Sequence, residues 1–258
     1  MTPLISGTRL ALGLLTTVPT GSVDVDRRTA RNALLLAPVV GLGLGGAAWA
    51  VGGVLQARDL GSLVAAVAAV ATLAVATRAL HLDGLADLAD GLGSGRPAAD
   101  ALEVMRRSDA GPFGVITLVL VLLTQVAVLA RAWELGLAGP ALVIGCMTGR
   151  LALLWACRVG TPAARPDGLG ALVAGVVPVR AAALVTALGV AVAVMWGAVD
   201  SITYAIAFGI AVIVGICSAE LLQRLARRRL GGVTGDVLGA LVETAMTASI
   251  LTLLLVTA

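Results

Sequence analysis

The chain contains no lysine: all 18 of its basic residues are arginine, and it has a single histidine. Aromatic residues make up 3% of its 258 residues, so no belt of Trp and Tyr marks where a membrane interface lies. Charged residues are only 13%, which excludes a disordered polyelectrolyte, and the net charge of +3 forms no field suited to a nucleic-acid partner. The three cysteines, Cys146, Cys157 and Cys217, are odd in number and fall in apolar runs. That spacing excludes a disulfide framework or a thiolate metal site, and they read as small buried hydrophobes.

What is present is apolar surface. Hydrophobic residues are 59% of the chain and the mean hydropathy is +1.02, which points to several membrane spans. A bilayer core takes about 20 apolar residues of helix. Seven runs qualify: Ala33–Leu55, Gly61–Leu80, Val115–Trp133, Pro140–Cys157, Arg180–Val199, Ile202–Leu222 and Val237–Ala258. Leu10–Val18 is too short to span and lacks a basic start and a small-residue cleavage site, so it reads as a re-entrant or interfacial segment. The expected fold is an all-α, polytopic membrane helical bundle of about seven spans, with residues 1–258 as one domain.

The connections alternate in arginine content. Gly21–Asn32, His81–Gly114, Arg158–Val179 and Gln223–Asp236 are arginine-bearing; the connections between them carry few or none. The positive-inside rule assigns the rich loops to the cytoplasm and the C-terminus to the other side. The longer, glycine-rich loops are on that same side, so the chemistry is expected there.

One of them holds HLDGLADLADG, residues 81–91. On a helix Asp83, Asp87 and Asp90 fall at i, i+4 and i+7, within about 60° of one another. Three carboxylates on one stripe at a membrane boundary repel one another. A divalent cation removes that repulsion, and Mg²⁺ takes one or two carboxylates with waters and phosphate oxygens. The alternative is a solvated acidic helix start. His81 lies roughly opposite the stripe and is given a supporting, substrate-side role.

A second acidic site follows in LGGVTGDVLGALVE, residues 230–243. Gly231, Gly232 and Gly235 form a turn with free backbone N–H groups before a helix start, an arrangement suited to phosphate. Asp236 opens the last span and Glu243 lies seven residues on, an intramembrane acid. Thr234 or Asp236 serves equally as a simple helix cap. Arg106 and Arg107, with Ser108, sit by a Gly-Pro turn and suit a diphosphate or a lipid headgroup. Arg150 falls inside a span and needs an internal partner.

These blocks resemble cobalamin synthases, the adenosylcobinamide-GDP ribazoletransferases. HLDGLADLADG and LGGVTGDVLGALVE carry the resemblance most specifically; LTTVP at 15–19, APVVGLGLGG at 37–46, EVMRRSDAGPFG at 103–114 and DGLG at 167–170 follow the same order. Arg107, Ser108 and Asp109 reverse an Asp-Ser-Arg that members often carry.

The resemblance implies a multi-pass plasma-membrane (inner-membrane) enzyme of late vitamin B12 assembly that needs Mg²⁺ and works from the cytoplasmic side. Its substrates would be adenosylcobinamide-GDP and α-ribazole or its 5′-phosphate, and GMP would leave. The expected catalytic and metal-holding residues are Asp83, Asp87, Asp90 and Asp236, with attack by the ribazole 5′-hydroxyl. Arg106, Arg150, Gly232, Thr234, Glu243 and His81 are the expected substrate-binding set. The lipid bilayer is a partner, and a homo-oligomer is compatible with the pattern. Two rivals remain at this stage: a CDP-alcohol phosphotransferase of lipid synthesis, with a comparable aspartate motif, and an ion- or proton-coupled transporter, which would place its acids near the midplane.

Overall fold

The computed structural model describes residues 3–107 and 109–257. These residues form eleven helices and no strand beyond two isolated bridges, Arg158 with Val177 and Ala163 with Val233. Among the described residues, six helices are long and apolar enough to cross a membrane: α2 (Arg27–Gln56), α6 (Pro112–Glu134), α7 (Ala138–Ala156), α9 (Val179–Ala198), α10 (Ile202–Leu230) and α11 (Gly235–Thr257). A seventh candidate is a broken pair, α3 (Ser62–Ala76) and α4 (Leu80–Gly93), bent by 88°.

The expected span Gly61–Leu80 therefore changes form. Its helix stops at Ala76, where 15 residues reach only about 22 Å, short of a hydrocarbon core. Two further expectations shift. The N-terminal segment is a helix, α1 (Pro3–Leu15), that starts earlier than Leu10 and ends earlier than Val18. The arginines at 224, 227, 228 and 229 are in the last turns of α10, not in a loop, and favour the negative end of its dipole.

Two helices make the centre. Nearly every residue of α7 is buried, as is most of α11, while α2 and α10 pack along them. The α2–α7 contact is built on small residues, with Gly41 against Cys146 and Met147 and Gly45 against Leu142 and Val143; further along the same stripe, Gly52 meets α3 and α6 instead. A Cβ at Gly45 would lie 2.6 Å from the Leu142 carbonyl oxygen, so a larger residue forces the helices apart. Outside the centre, rows such as Ile116, Val119, Leu120 and Leu123 on α6 and Leu184, Leu188, Val192 and Met195 on α9 are exposed, the faces a bilayer would cover. Cys146 and Cys157 are buried as expected; Cys217 is exposed on α10.

The arginine-rich connections converge at one end of the bundle. Arg27 Nη2 donates to the Ala174 carbonyl at 3.3 Å. Arg158 binds Glu220 of α10 through both ends of its fork, at 2.8 and 3.0 Å. Val233 N donates to the Pro162 carbonyl at 3.0 Å. Asp26 caps α2 at the same end by accepting from Thr29 N at 2.6 Å, which holds its carboxyl below the usual carboxylate range. Arg27 and Arg158 are thus structural ties at this end of the bundle.

Candidate active site

The site depends on how α4 leaves α3. Arg78 and Ala79 are consecutive non-glycine residues in the left-handed region, with φ of 55° and 54°. Thr77 Oγ1 donates to the Leu73 carbonyl at 2.8 Å, and Arg78 Nη2 donates to Gly13 of α1 at 3.1 Å. Held in this way, the turn sends α4 sideways across the start of α11. The crossing is close: a Cβ at Gly84 would lie 2.7 Å from the Asp236 carbonyl oxygen, and one at Gly239 3.1 Å from His81 Cα.

This crossing brings Asp83 of α4 and Asp236 of α11 to the same cavity, of about 510 Å³. Asp87 lies one turn along and is within electrostatic reach of both. Thr234 Oγ1 accepts from Val237 N at 3.2 Å, the cap that its position suggested, and donates to Asp236 Oδ2 at 3.2 Å. Arg165 Nη1 is 3.8 Å from Asp236 Oδ2. Its Nη2 donates to the Leu102 carbonyl at 2.5 Å, and its Nε is buried with no partner. Asp167 also lines the cavity, and Arg106 pairs with it at 3.3 Å on the exposed rim.

Asp90 adds its charge to the field at Asp87, and it also has a second engagement. Its Oδ2 accepts from Gly111 N at 2.7 Å and its Oδ1 from Gly114 N at 2.9 Å. Gly111 is the N-cap of α6 and has no side chain to cap with, so Asp90 supplies the cap from a neighbouring helix. The periodicity put Asp90 on the correct stripe; the start of α6 engages one lone pair on each of its oxygens.

Three other expected residues are elsewhere. Gly232 is absent from the cavity wall: a Cβ there would strike the backbone of Pro162, Ala163 and Ala164, so it is a close-packing position. Arg150 and Glu243 are both buried in the bundle, away from the 510 Å³ cavity. Glu243 Oε2 accepts from Gln125 Nε2 at 2.9 Å, and the Arg150 charge acts on Glu243 and His81. Together with Thr77 they line a small internal void of about 20 Å³, large enough for one water. Glu243 thus finds a partner inside the bundle, whereas Arg150 makes only a 3.5 Å contact from Nη1 to the Cys146 carbonyl and its Nε is buried with no partner. His81 is buried and borders both spaces. Ser108 lies outside the described residues.

Arg165 and Asp167 are the site residues that sequence reasoning passed over. Asp167 lay in the 167–170 block and Arg165 two residues before it, but nothing in the spacing of a loop arginine links it to an aspartate 71 residues away. The wall formed by α1 was also unforeseen.

Among the described residues, no three of His, Cys, Asp and Glu converge closely enough to cage a metal by themselves. Asp83 and Asp236 offer hard carboxylate oxygens, and a pair of these with substrate oxygens is the set that Mg²⁺ takes.

The model of the Cobalamin-5-phosphate synthase family matches residues 7–254. The chain belongs to that family. An adenosylcobinamide-GDP ribazoletransferase of Frankia casuarinae is 43% identical over 256 residues, covering 94% of this chain and 92% of the relative. Relatives with the same description in Nocardioides sp. and Bradyrhizobium diazoefficiens are 42% and 38% identical, covering 94% and 93% of this chain and 96% and 90% of their own lengths. No solved structure matches. Family membership agrees with the resemblance carried by residues 81–91 and 230–243.

Proposed function

We propose that this chain is an adenosylcobinamide-GDP ribazoletransferase, joining the cobinamide-phosphate group to α-ribazole or its 5′-phosphate with release of GMP. The observation that carries this is the meeting of Asp83 and Asp236, from separate helices, at one cavity beside Arg165 in a chain of this family. The acids sit at helix ends on the arginine-rich face rather than at a midplane, which favours an enzyme over a transporter.

Transfer at a diphosphate is mainly positioning and charge neutralisation. Arg165 at the mouth and Arg106 on the rim are the cations available to the diphosphate oxygens. Asp83 and Asp236 would hold Mg²⁺ together with substrate oxygens, with the Asp87 carboxylate adding negative charge one turn along. When bound, the ion supplies neutralisation of the diphosphate and the departing phosphate. The acceptor hydroxyl attacks the phosphorus next to cobinamide, and the bond from that phosphorus to the GMP oxygen breaks. The hydroxyl proton goes to Asp83 or Asp236, the carboxylates that border the cavity.

The attacking oxygen differs from the one expected from the sequence. A family described by cobalamin-5-phosphate carries the 5-phosphate into its product. That phosphate blocks the 5′-oxygen, so the nucleophile we propose is a secondary ribose hydroxyl. We further propose that the site faces the cytoplasm and the chain resides in the plasma membrane, on the strength of the arginine distribution.

The test compares GMP release from adenosylcobinamide-GDP and α-ribazole with CMP release from a CDP-alcohol lipid, using the purified chain in lipid. GMP release alone supports the reading; CMP release alone makes the chain a lipid phosphotransferase.

A further inference from the structure

Resting on the ribazoletransferase reading, we infer that the 510 Å³ cavity is the acceptor's site, with its apolar depth holding a flat, uncharged aromatic base and its mouth holding the sugar between Asp83 and Asp236.

The lining is divided in two. Asp83, Arg165, Asp167, Thr234 and Asp236 stand together where α4, the 165–168 segment and the start of α11 meet, with His81 next to Asp83 on α4. The remaining walls come from α1, α2, α7, the short helix α8 (Gly168–Val173) and the next turn of α11, and they are aliphatic. Leu10 and Leu14 face the cavity from α1; Ala30, Ala33 and Ala37 face it from α2. Ala30 and Ala37 are 1% and 0% exposed and form the packed backing of this wall, while Ala33, at 6%, presents what alanine surface there is. Spaced i, i+3 and i+7, they lie on one face of α2, which with Leu10 and Leu14 makes this part of the cavity an aliphatic slot.

The donor substrate does not fit this space. Its guanosine diphosphate end needs cations and hydrogen-bond partners, and the aliphatic walls provide neither, so burying it there leaves charge and polar edges unpaired. The corrin ring with its amide arms is much larger than a cavity of about 510 Å³. The acceptor suits both halves. An alkyl-substituted benzimidazole has no exocyclic donor or acceptor to satisfy, and burial of its faces is favourable. With the base inserted, the ribose hydroxyls lie at the mouth, among the carboxylates that take the proton.

The same division gives selectivity. A purine or pyrimidine nucleoside presents amino or carbonyl edges that would be stranded between Leu10, Leu14 and the α2 alanines. A site with no partner for such groups rejects them without a dedicated discriminating residue.

The test is direct binding by the full chain in lipid nanodiscs, measured by equilibrium dialysis with α-ribazole and, separately, with adenosine. The wild type binds α-ribazole at least about tenfold more tightly than adenosine. Ala33→Phe fills the slot and weakens α-ribazole binding by about tenfold or more, while the KM for adenosylcobinamide-GDP moves by less than about twofold. Where Ala33→Phe does not yield folded protein, Leu14→Ala removes one wall from the short helix α1 and weakens α-ribazole binding severalfold. The inference is overturned if α-ribazole affinity is unchanged in these variants, if adenosine binds equally well, or if the KM for adenosylcobinamide-GDP is the one that rises. Slot-dependent binding without GMP release overturns the ribazoletransferase reading and leaves the binding site standing; GMP release indifferent to the slot does the opposite.

Discussion

Gly84 of α4 rests directly on the backbone of Asp236 in α11, so closely that a Cβ would lie 2.7 Å from the Asp236 carbonyl oxygen and 2.9 Å from its Cα. The crossing sets the distance between the two cavity carboxylates. Gly84→Ala pushes α4 off α11 and separates Asp83 from Asp236. A displacement of about 1 Å costs up to about a hundredfold in rate when a catalytic geometry is lost. The expected outcome is a kcat for GMP release at least about tenfold lower, with the protein still folded and monodisperse. Unchanged turnover in Gly84→Ala would show that the crossing does not position the site.

Asp90 and Asp83 are seven residues apart on one stripe and are expected to fail in opposite ways. Asp90→Ala leaves the Gly111 and Gly114 N–H groups without their acceptor, at about 1–3 kcal/mol for a buried unsatisfied group. Asp83→Asn removes one of several mutually repelling charges and should not lower stability. Thermal unfolding in detergent should therefore place Asp90→Ala well below the wild type and Asp83→Asn at or above it. The reverse order would mean that Asp90 is not a structural cap.

The internal knot of Gln125, Arg150 and Glu243 is expected to matter for stability before activity. Arg150→Met takes away the buried cation whose charge acts on Glu243 and is expected to lower the unfolding midpoint. The double variant Arg150→Met/Glu243→Leu removes both charges and should recover much of the loss, which a double-mutant cycle of unfolding midpoints reads directly. Additive losses would show that the two residues do not interact.

Orientation has its own test. Asp100 is exposed on α5 (Ala98–Val104), between the aspartate helix and α6. A single cysteine at Asp100→Cys, in a chain with Cys146, Cys157 and Cys217 replaced, should resist an impermeant thiol reagent applied to intact cells and react in inverted vesicles. Labelling from outside intact cells would invert the topology.

The spans were legible because apolar length and composition carry the signal directly, and five of the seven expected runs overlap one straight helix each beyond α2. The run at Gly61–Leu80 was legible as apolar but not as broken, since nothing in the local sequence announces two left-handed residues at Arg78 and Ala79. The aspartate stripe could be read from helical period alone. What it could not show was that Asp90 turns to α6, because Gly111 and Gly114 are more than twenty residues away and their N–H groups have no distinguishing side chain. Arg150 and Glu243 were legible as intramembrane charges needing partners. That Gln125 is one of those partners is a property of three helices packed together, as is the contact of Arg165 with Asp236.

The most direct test of the account is GMP release by purified Asp83→Asn and Asp236→Asn proteins, each verified as folded, with adenosylcobinamide-GDP and α-ribazole across a Mg²⁺ titration. Both substitutions keep the shape and remove the charge. The account predicts losses of about a hundredfold or more in each, since charge stabilisation at a transferring phosphoryl group dominates such reactions. It also predicts that more Mg²⁺ partly offsets the loss. Near-wild-type turnover at limiting Mg²⁺ in both variants would contradict the assignment of this cavity as the active site.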